Sequence, residues 1–255
     1  MPENINNFKI PDSILLIDKS TGISSYDIIR KIKTAFRTDA PKAERQLQKI
    51  GHAGTLDPIA TGLVIILING GTKRSDSFLT LDKCYDATLF IGSSTDSYDS
   101  TGKILESKEL CAGYFDDPEK LSELKRAVES FTGEIMQEPP MFSALKKNSV
   151  PLYKLARNGV TVPREKRLCK IYSIEMMDEK PSYDEALKGF NFSFRVSCSK
   201  GTYIRSLCYD IGVKLAIPCH MSGLRRVSVG KYNISEALKI ADISKETVLN
   251  KIIKL

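Results

Sequence analysis

The sequence lacks the features that mark membrane-spanning, exported and metal-binding proteins. Its longest notable apolar run, "LVIILI", has six residues, whereas a transmembrane helix needs roughly 18. The opening "MPENINNFKIPDS" has no charged segment followed by an apolar one, so we expect a cytoplasmic protein. The six cysteines form no Cys-x-x-Cys pair, and neither histidine lies at zinc-finger spacing from two cysteines. We therefore expect free thiols and no structural metal.

The sequence also has few acidic residues in one region. Residues 144–170 contain eight lysines and arginines but one acid, Glu165, whereas residues 96–134 contain ten acids and five bases. The whole chain has a formal charge of +7. This asymmetry suggests a face that binds a polyanion such as nucleic acid, although a basic segment can equally be solvated surface.

The composition is that of an ordinary globular protein, with 42% hydrophobic and 27% charged residues. Strand and helix patterns are mixed without a regular βαβ alternation, which favours an α+β fold with one large mixed, mainly antiparallel sheet flanked by helices and loops. No repeat and no proline- or glycine-rich linker divides the 255 residues. Strands are predicted at residues 14–18, 63–68, 83–92, 168–177, 190–198 and 224–232. Helices are predicted at residues 24–36, 116–131, 151–159 and 202–216.

The stretch "GHAGTLDPIATG", residues 51–62, brings conformational freedom and a carboxylate to the start of a buried strand. In one interpretation Asp57 caps a helix whose first turn contains Pro58. In the other, Asp57 is a catalytic carboxylate on a loop at the edge of a cleft, since aspartate can be a covalent nucleophile at carbon. Gly51 and Gly54 would then permit close approach of another chain beside the ring of His52.

A catalytic Asp57 would need a cation that keeps it ionised and oriented. Arg205, in "CSKGTYIRSLCYD", begins a predicted helix and could pair with it, although an arginine in this position is more often solvated. Tyr85, on a predicted strand, is either a core residue or an aromatic plate for stacking.

Six segments occur along the chain in a characteristic order. They are "LLIDKSTGISSYDIIRKIK", "GHAGTLDPIATGLVIILINGGTK", "KCYDATLFIGSSTDSYDSTG", "EPPMFSALKKNSVPLYKLARNGVTVPREKR", "CSKGTYIRSLCYDIG" and "LRRVSVGKY". Together they resemble the bacterial TruB family of tRNA pseudouridine synthases over residues 12–235, and the block that contains Asp57 is highly specific.

The resemblance implies the pseudouridine synthase fold and isomerisation of the T-loop uridine at tRNA position 55, without cofactor or metal. It implies that Asp57 is the catalytic aspartate, that Tyr85 stacks on the target base and that Arg205 pairs with the carboxylate. Further residues match the pocket around the flipped nucleotides or the ordered first motif: His52, Tyr203, Leu224 and Lys19. For contacts to the RNA backbone we expect Arg164, Lys166 and Arg167.

The glycines of the Asp57 loop make sense if the target uridine must be extruded from a stacked RNA loop. Unstacking costs a few kcal/mol, and a glycine-flanked loop carrying His52 could enter the vacated space. The chemistry stays open at one point. Asp57 could add to the base ring, or it could attack or assist departure at the sugar carbon.

Two segments depart from the family pattern. Residues 37–50 are longer and more charged than expected, and form either an RNA-gripping segment or an exposed insertion. Only about 25 residues follow "VSVGKY", so we expect a catalytic domain over residues 1–235, a short helical extension over 236–255 and no C-terminal PUA domain. We expect a monomer that binds the tRNA T arm, with no guide RNA and no membrane.

Two other functions compete with the tRNA enzyme. A non-catalytic tRNA-binding chaperone would use the same basic face, but would have no use for Asp57, Tyr85 and Arg205. A guide-RNA-dependent pseudouridine synthase is disfavoured by the short C-terminus and the lack of long basic tails.

Overall fold

The computed structural model describes residues 9–37 and 46–255. Helices and strands are mixed along these residues, which confirms the predicted α+β class. The helices are α1 (Ser25–Ala35), α2 (Ser75–Leu79), α3 (Pro118–Glu129), α4 (Leu152–Arg157), α5 (Ile204–Leu215) and α6 (Lys245–Lys251). The strands are β1 (Ser13–Lys19), β2 (Ile50–Ala53), β3 (Thr61–Ile68), β4 (Lys83–Ile91), β5 (Ser93–Thr95), β6 (Ile104–Ser107), β7 (Gly133–Gln137), β8 (Lys146–Lys147), β9 (Val150–Pro151), β10 (Arg167–Met176), β11 (Ser182–Asp184), β12 (Gly189–Cys198), β13 (Cys219–Val229), β14 (Tyr232–Asn233), β15 (Leu238–Lys239) and β16 (Ile253–Lys254).

The chain forms two compact units, and the first combines residues up to 83 with residues 225–255. Its sheet has the order β15, β1, β3 and the second half of β13, and β2 also pairs with β3. The apolar runs of β1 and β3 are buried on both faces, as predicted for the second of them. The side chains of one face form a hydrophobic core cluster with Phe78. The cluster comprises Ile14, Leu16, Ala53, Leu63, Ile65, Leu67, Phe78 and Val229.

The second unit comprises residues 84–224. Its sheet has the order β13, β4, β12, β10 and β7, with antiparallel pairing of β12 with β10 and of β10 with β7. Alternation is clear in β12, where Phe190, Phe192, Phe194 and Val196 are buried and the residues between them are half-buried. Helices α3 and α5 contact each other, and α3 also contacts β10.

Capping side chains begin α1 and α3. The Ser24 side chain accepts from the amide of Asp27, and the Asp27 side chain accepts from the Ser24 amide, which completes a capping box before α1. The Asp117 side chain accepts from the amide of Glu119, and Pro118 is the first residue of α3.

The segment expected to form a short helical extension, residues 236–255, contains one α-helix, α6, one three-residue 3-10 turn and two short strands. Both strands pair with β1: Ile17 lies opposite Leu238 in parallel register, and Ile14 lies opposite Ile253 in antiparallel register. The segment is therefore helical only in part, because residues at both of its ends pair with β1 as strands.

Two features are absent from the part of the chain that the structure describes. None of its helices combines the length and apolar character needed to cross a membrane. None of its groups of three or more histidine, cysteine or acidic side chains is arranged to hold a metal ion.

Candidate active site

Asp57 lies in a tight turn between β2 and β3, in the first unit. The carbonyl of Asp57 accepts the amide of Ala60 at 3.0 Å, and Pro58 occupies the second position of this turn, which its fixed φ favours. The next element is β3, so the interpretation of Asp57 as a helix cap is wrong. Asp57 is half-buried and lies four residues before β3, whose residues beyond Thr61 are all buried.

The Lys19 side chain binds the backbone of this turn. Its side chain is completely buried, and Nζ donates to the carbonyls of Ala60 at 2.5 Å, Pro58 at 3.3 Å and Ser20 at 3.0 Å. Burial lowers the pKa of Lys19 to about 8, while the negative charge of Asp57 opposes that shift. Lys19 thus fixes the backbone beside the carboxylate and attracts its charge, which agrees with the ordering role expected for the first motif.

Arg226 holds the other end of the loop, and sequence reasoning missed it. The guanidinium is 2% exposed, and it donates from Nε to the carbonyl of Leu63 at 2.7 Å and from Nη2 to that of Gly54 at 3.1 Å. A Cβ at Gly62, where φ is +107°, would lie 2.4 Å from the Arg226 carbonyl oxygen, so this position requires glycine. The only local signal was an arginine within a predicted strand.

His52 lies on β2 opposite Ile66 and is half-buried. Burial lowers its pKa, and the nearby positive charge of Arg226 lowers it further, so the ring is neutral at pH 7. Its Nδ1 atom is buried without a hydrogen-bond partner among the residues described. A neutral ring offers no positive charge that would bind a phosphate.

Arg205 lies in the first turn of α5, in the second unit, and is 5% exposed. The interpretation of a solvated arginine is therefore wrong. Its Nε lies 3.7 Å from the carboxylate of Asp99, and its guanidinium donates to the carbonyls of Ser97 at 2.9 Å and Phe142 at 2.8 Å. The pairing of Arg205 with Asp57 stays a prediction.

Sequence reasoning also missed Asp99, whose carboxylate is 6% exposed. It accepts from the Ser97 hydroxyl at 2.8 Å, the Thr101 hydroxyl at 2.6 Å and the Thr101 amide at 3.0 Å. The signal was present in "TDSYDSTG", where serine and threonine surround an aspartate. These bonds fix one oxygen of Asp99 and hold the carboxylate against Arg205.

The start of α5 is anchored by the chain that follows β7. The Gln137 side-chain oxygen accepts from the amide of Tyr203, the N-cap residue, at 2.7 Å, and the Ser206 hydroxyl donates to the Glu138 carbonyl at 2.8 Å. The first bond satisfies a backbone amide that the helix terminus leaves open, and both bonds fix the turn of α5 that carries Arg205.

The remaining pocket candidates lie in the second unit, two of them on strands and one at the start of a helix. Tyr85 is 9% exposed in β4, Leu224 is half-buried in β13, and Tyr203 is half-buried before α5. Their contact with a base stays a prediction.

The three basic candidates differ in exposure. Lys166 and Arg167 are exposed, whereas the Arg164 side chain is only 15% exposed and forms an ion pair with Glu138. Arg164 is therefore the least available of the three for an RNA phosphate. Most of the charged segment at 37–50 lies outside the described residues.

Comparison with known proteins gives two family matches and many relatives. A model described as TruB family pseudouridylate synthase (N terminal domain) matches residues 42–204, and one described as tRNA pseudouridylate synthase B C-terminal domain matches residues 205–253. The chain is 39% identical over 244 residues to tRNA pseudouridine synthase B of Clostridium acetobutylicum, covering 96% of this chain and 76% of the relative. It is also 39% identical over 232 residues to the protein of that name from Lactobacillus acidophilus, covering 91% and 73%.

Solved structures share the fold. The chain aligns with a Cbf5-Nop10-Gar1 complex at a TM-score of 0.65 and 23% identity, covering all of this chain and 65% of that one. It aligns with an H/ACA RNP bound to a substrate RNA containing 2'-deoxyuridine at a TM-score of 0.62 and 21% identity, covering 99% and 65%. The chain thus spans just under two thirds of these solved chains, and the likeness confirms the pseudouridine synthase fold.

Proposed function

The chain belongs to the TruB family of tRNA pseudouridine synthases, and we propose that it isomerises the uridine at position 55 in the T loop of tRNA to pseudouridine. One observation carries this assignment within the molecule. Asp57 occupies a turn whose backbone is held by two buried cations, Lys19 and Arg226. A structural aspartate would not need such support, whereas a carboxylate that must meet one carbon atom does.

The reaction breaks the bond between N1 of uracil and the sugar carbon and forms a bond from C5 to the same carbon. N1 gains a proton and C5 loses one, so no oxidant or reductant is required. Asp57 acts either by addition to the base ring or by attack or assistance at the sugar carbon. Arg205, oriented by Asp99, would keep that carboxylate ionised, and Tyr85 would stack on the base.

Uridine must leave the stacked T loop before Asp57 can reach it. We propose that His52 enters the space that the base vacates and that the basic segment, residues 144–170, contacts the phosphates of the T arm. We expect a cytoplasmic monomer that needs no guide RNA. The solved neighbours from H/ACA complexes are similar in fold alone, so they do not favour a guide.

Tritium release from tRNA transcript labelled at uridine C5 tests the proposal, with neither guide nor metal added. The wild-type protein should release tritium from position 55, and Asp57→Asn should abolish turnover while tRNA affinity stays within about tenfold, or ~1.4 kcal/mol. The control Asp76→Asn replaces an exposed carboxylate on α2 and should retain full activity.

Each alternative gives a different result in this assay. A chaperone would bind tRNA without releasing tritium, and a guide-dependent enzyme would release it only when a guide is supplied. Multiple turnover by the Asp57→Asn variant would remove Asp57 from the mechanism.

A further inference from the structure

Tyr98 has an unusual backbone conformation beside the Asp99–Arg205 pair. Its φ is +63°, in the left-handed region that a bulky side chain seldom adopts. The strain is local and persists only where surrounding contacts impose it. Tyr98 lies between Ser97 and Asp99, which both contact Arg205, so its conformation directly affects how this segment meets α5.

The Tyr98 backbone is fixed on both sides. Its amide donates to the Thr95 carbonyl at 3.2 Å, and its carbonyl accepts from the Met221 amide at 3.0 Å. Met221 lies in β13 and is completely buried, and its own carbonyl accepts from the Ser100 amide at 3.1 Å. The strained residue is therefore held against a rigid strand.

The Tyr98 ring stacks on Tyr209, with ring centroids 4.2 Å apart and ring planes at 16°. Tyr209 follows Arg205 by four residues in α5, so both side chains leave the helix on the same face. The segment of residues 97–99 thus docks on one helix face through two adjacent contacts, the Tyr98–Tyr209 stack and the Asp99–Arg205 pair.

The Tyr98 hydroxyl contacts Arg164. Burial raises the pKa of Tyr98, Tyr209 raises it further, and the hydrogen bond from Arg164 opposes the rise. The hydroxyl is therefore protonated at neutral pH, which excludes a role as a base. The ring, by contrast, is the part of the side chain that stacks on α5.

We propose that Tyr98 is a positioning residue, whose stack on Tyr209 sets the placement of Asp99 against Arg205. Only the predicted effect on the reaction rate rests on the proposed function. The left-handed backbone at residue 98 turns the ring and the Asp99 carboxylate toward α5, and the stack then holds the segment against the helix so that the carboxylate stays beside the guanidinium.

Single-turnover kinetics on tRNA separates the ring from the hydroxyl. Tyr98→Phe keeps the stack and should react within about threefold of wild type. Tyr98→Asn tolerates the left-handed conformation but removes the ring, and should react about tenfold more slowly with tRNA affinity within about threefold. The control Tyr172→Asn replaces an exposed tyrosine on β10 and should leave both quantities unchanged.

A double-variant comparison shows whether Tyr98 acts through Arg205. If it does, Tyr98→Asn combined with Arg205→Met should be no slower than Arg205→Met alone. The proposal would be overturned if the rate loss of the double variant equalled the product of the two single losses. It would also be overturned if Tyr98→Phe and Tyr98→Asn lost equal rate. A loss of tRNA affinity that matches the loss of rate would overturn it as well.

A crystal structure of the Tyr98→Asn variant tests the placement without any activity. The distance from Arg205 Nε to the Asp99 carboxylate should increase clearly from 3.7 Å. An unchanged pair would refute the positioning role even if the enzyme acts on tRNA. A displaced pair would support that role even if the tritium assay shows no turnover, which would refute only the proposed function.

Discussion

The adjacent arginines at residues 225 and 226 make different contacts, although they share one sequence context. Arg225 is 42% exposed and forms a bidentate ion pair with Asp18, with N–O distances of 2.8 and 3.2 Å. Arg226 points to the other face of β13 and donates to two backbone carbonyls of the Asp57 region. Strand alternation explains why one side chain is solvated and its neighbour is buried.

This difference leads to a prediction at the residue scale. Arg226→Met removes the guanidinium donor from the carbonyls of Gly54 and Leu63, and should lower the free energy of unfolding by roughly 2–4 kcal/mol. Arg225→Met breaks a partly exposed ion pair and should cost no more than about 1 kcal/mol. Urea titration of both variants measures the difference. Equal losses would show that burial of Arg226 does not support the loop.

At the scale of elements, the basic segment consists of side chains with different surroundings. The hairpin of β8 and β9 leads into α4, and Lys166 and Arg167 follow with exposed side chains. Arg164 instead pairs with Glu138 and contacts Tyr98. Charge counting in the sequence treats these residues as equivalent, whereas their contacts separate phosphate binders from structural residues.

The prediction for this segment concerns salt dependence. Lys166→Gln and Arg167→Gln should each reduce the slope of log K against log salt for tRNA binding by about 0.7–0.9, because each removes one phosphate contact. Arg164→Gln should change the slope much less. Binding titrations over several salt concentrations provide the measurement, and equal slopes for all three variants and wild type would place the segment away from RNA.

At the scale of the whole molecule, the first unit is assembled from both ends of the described chain. Leu238, Ile243 and Val248, from the C-terminal segment, are buried, and the Leu255 amide donates to the Asp12 carbonyl at 3.0 Å. This segment therefore belongs to the sheet that presents the Asp57 loop.

Deleting residues 238–255 should unfold the first unit. Three buried apolar side chains at about 2 kcal/mol each amount to much of the stability of a typical domain. Hydrogen exchange at the amides of β1 and β3 should lose its protection, while Lys245→Gln with Glu246→Gln, both exposed, should preserve it. Retained protection after the deletion would mean that the segment is a dispensable extension.

The sequence by itself indicated most of the longer elements and the family. Residue patterns predicted a strand at residues 190–198, which matches β12, and a helix at residues 202–216, which contains α5. These signals are local, because backbone geometry imposes the period of each element on its own residues. The ordered motifs, which include the block around Asp57, carried the resemblance to the family.

Only the tertiary structure decided which side chains support the site. Arg226 is 172 residues from Gly54, and Arg205 is 108 residues from Ser97, yet each pair is joined by a hydrogen bond. A local pattern shows which face of an element is buried but not which distant residue meets it. The roles of Asp99, Arg226 and Tyr98 therefore followed from long-range packing, since a buried charge or a strained backbone is stable only where the whole fold supplies its partners.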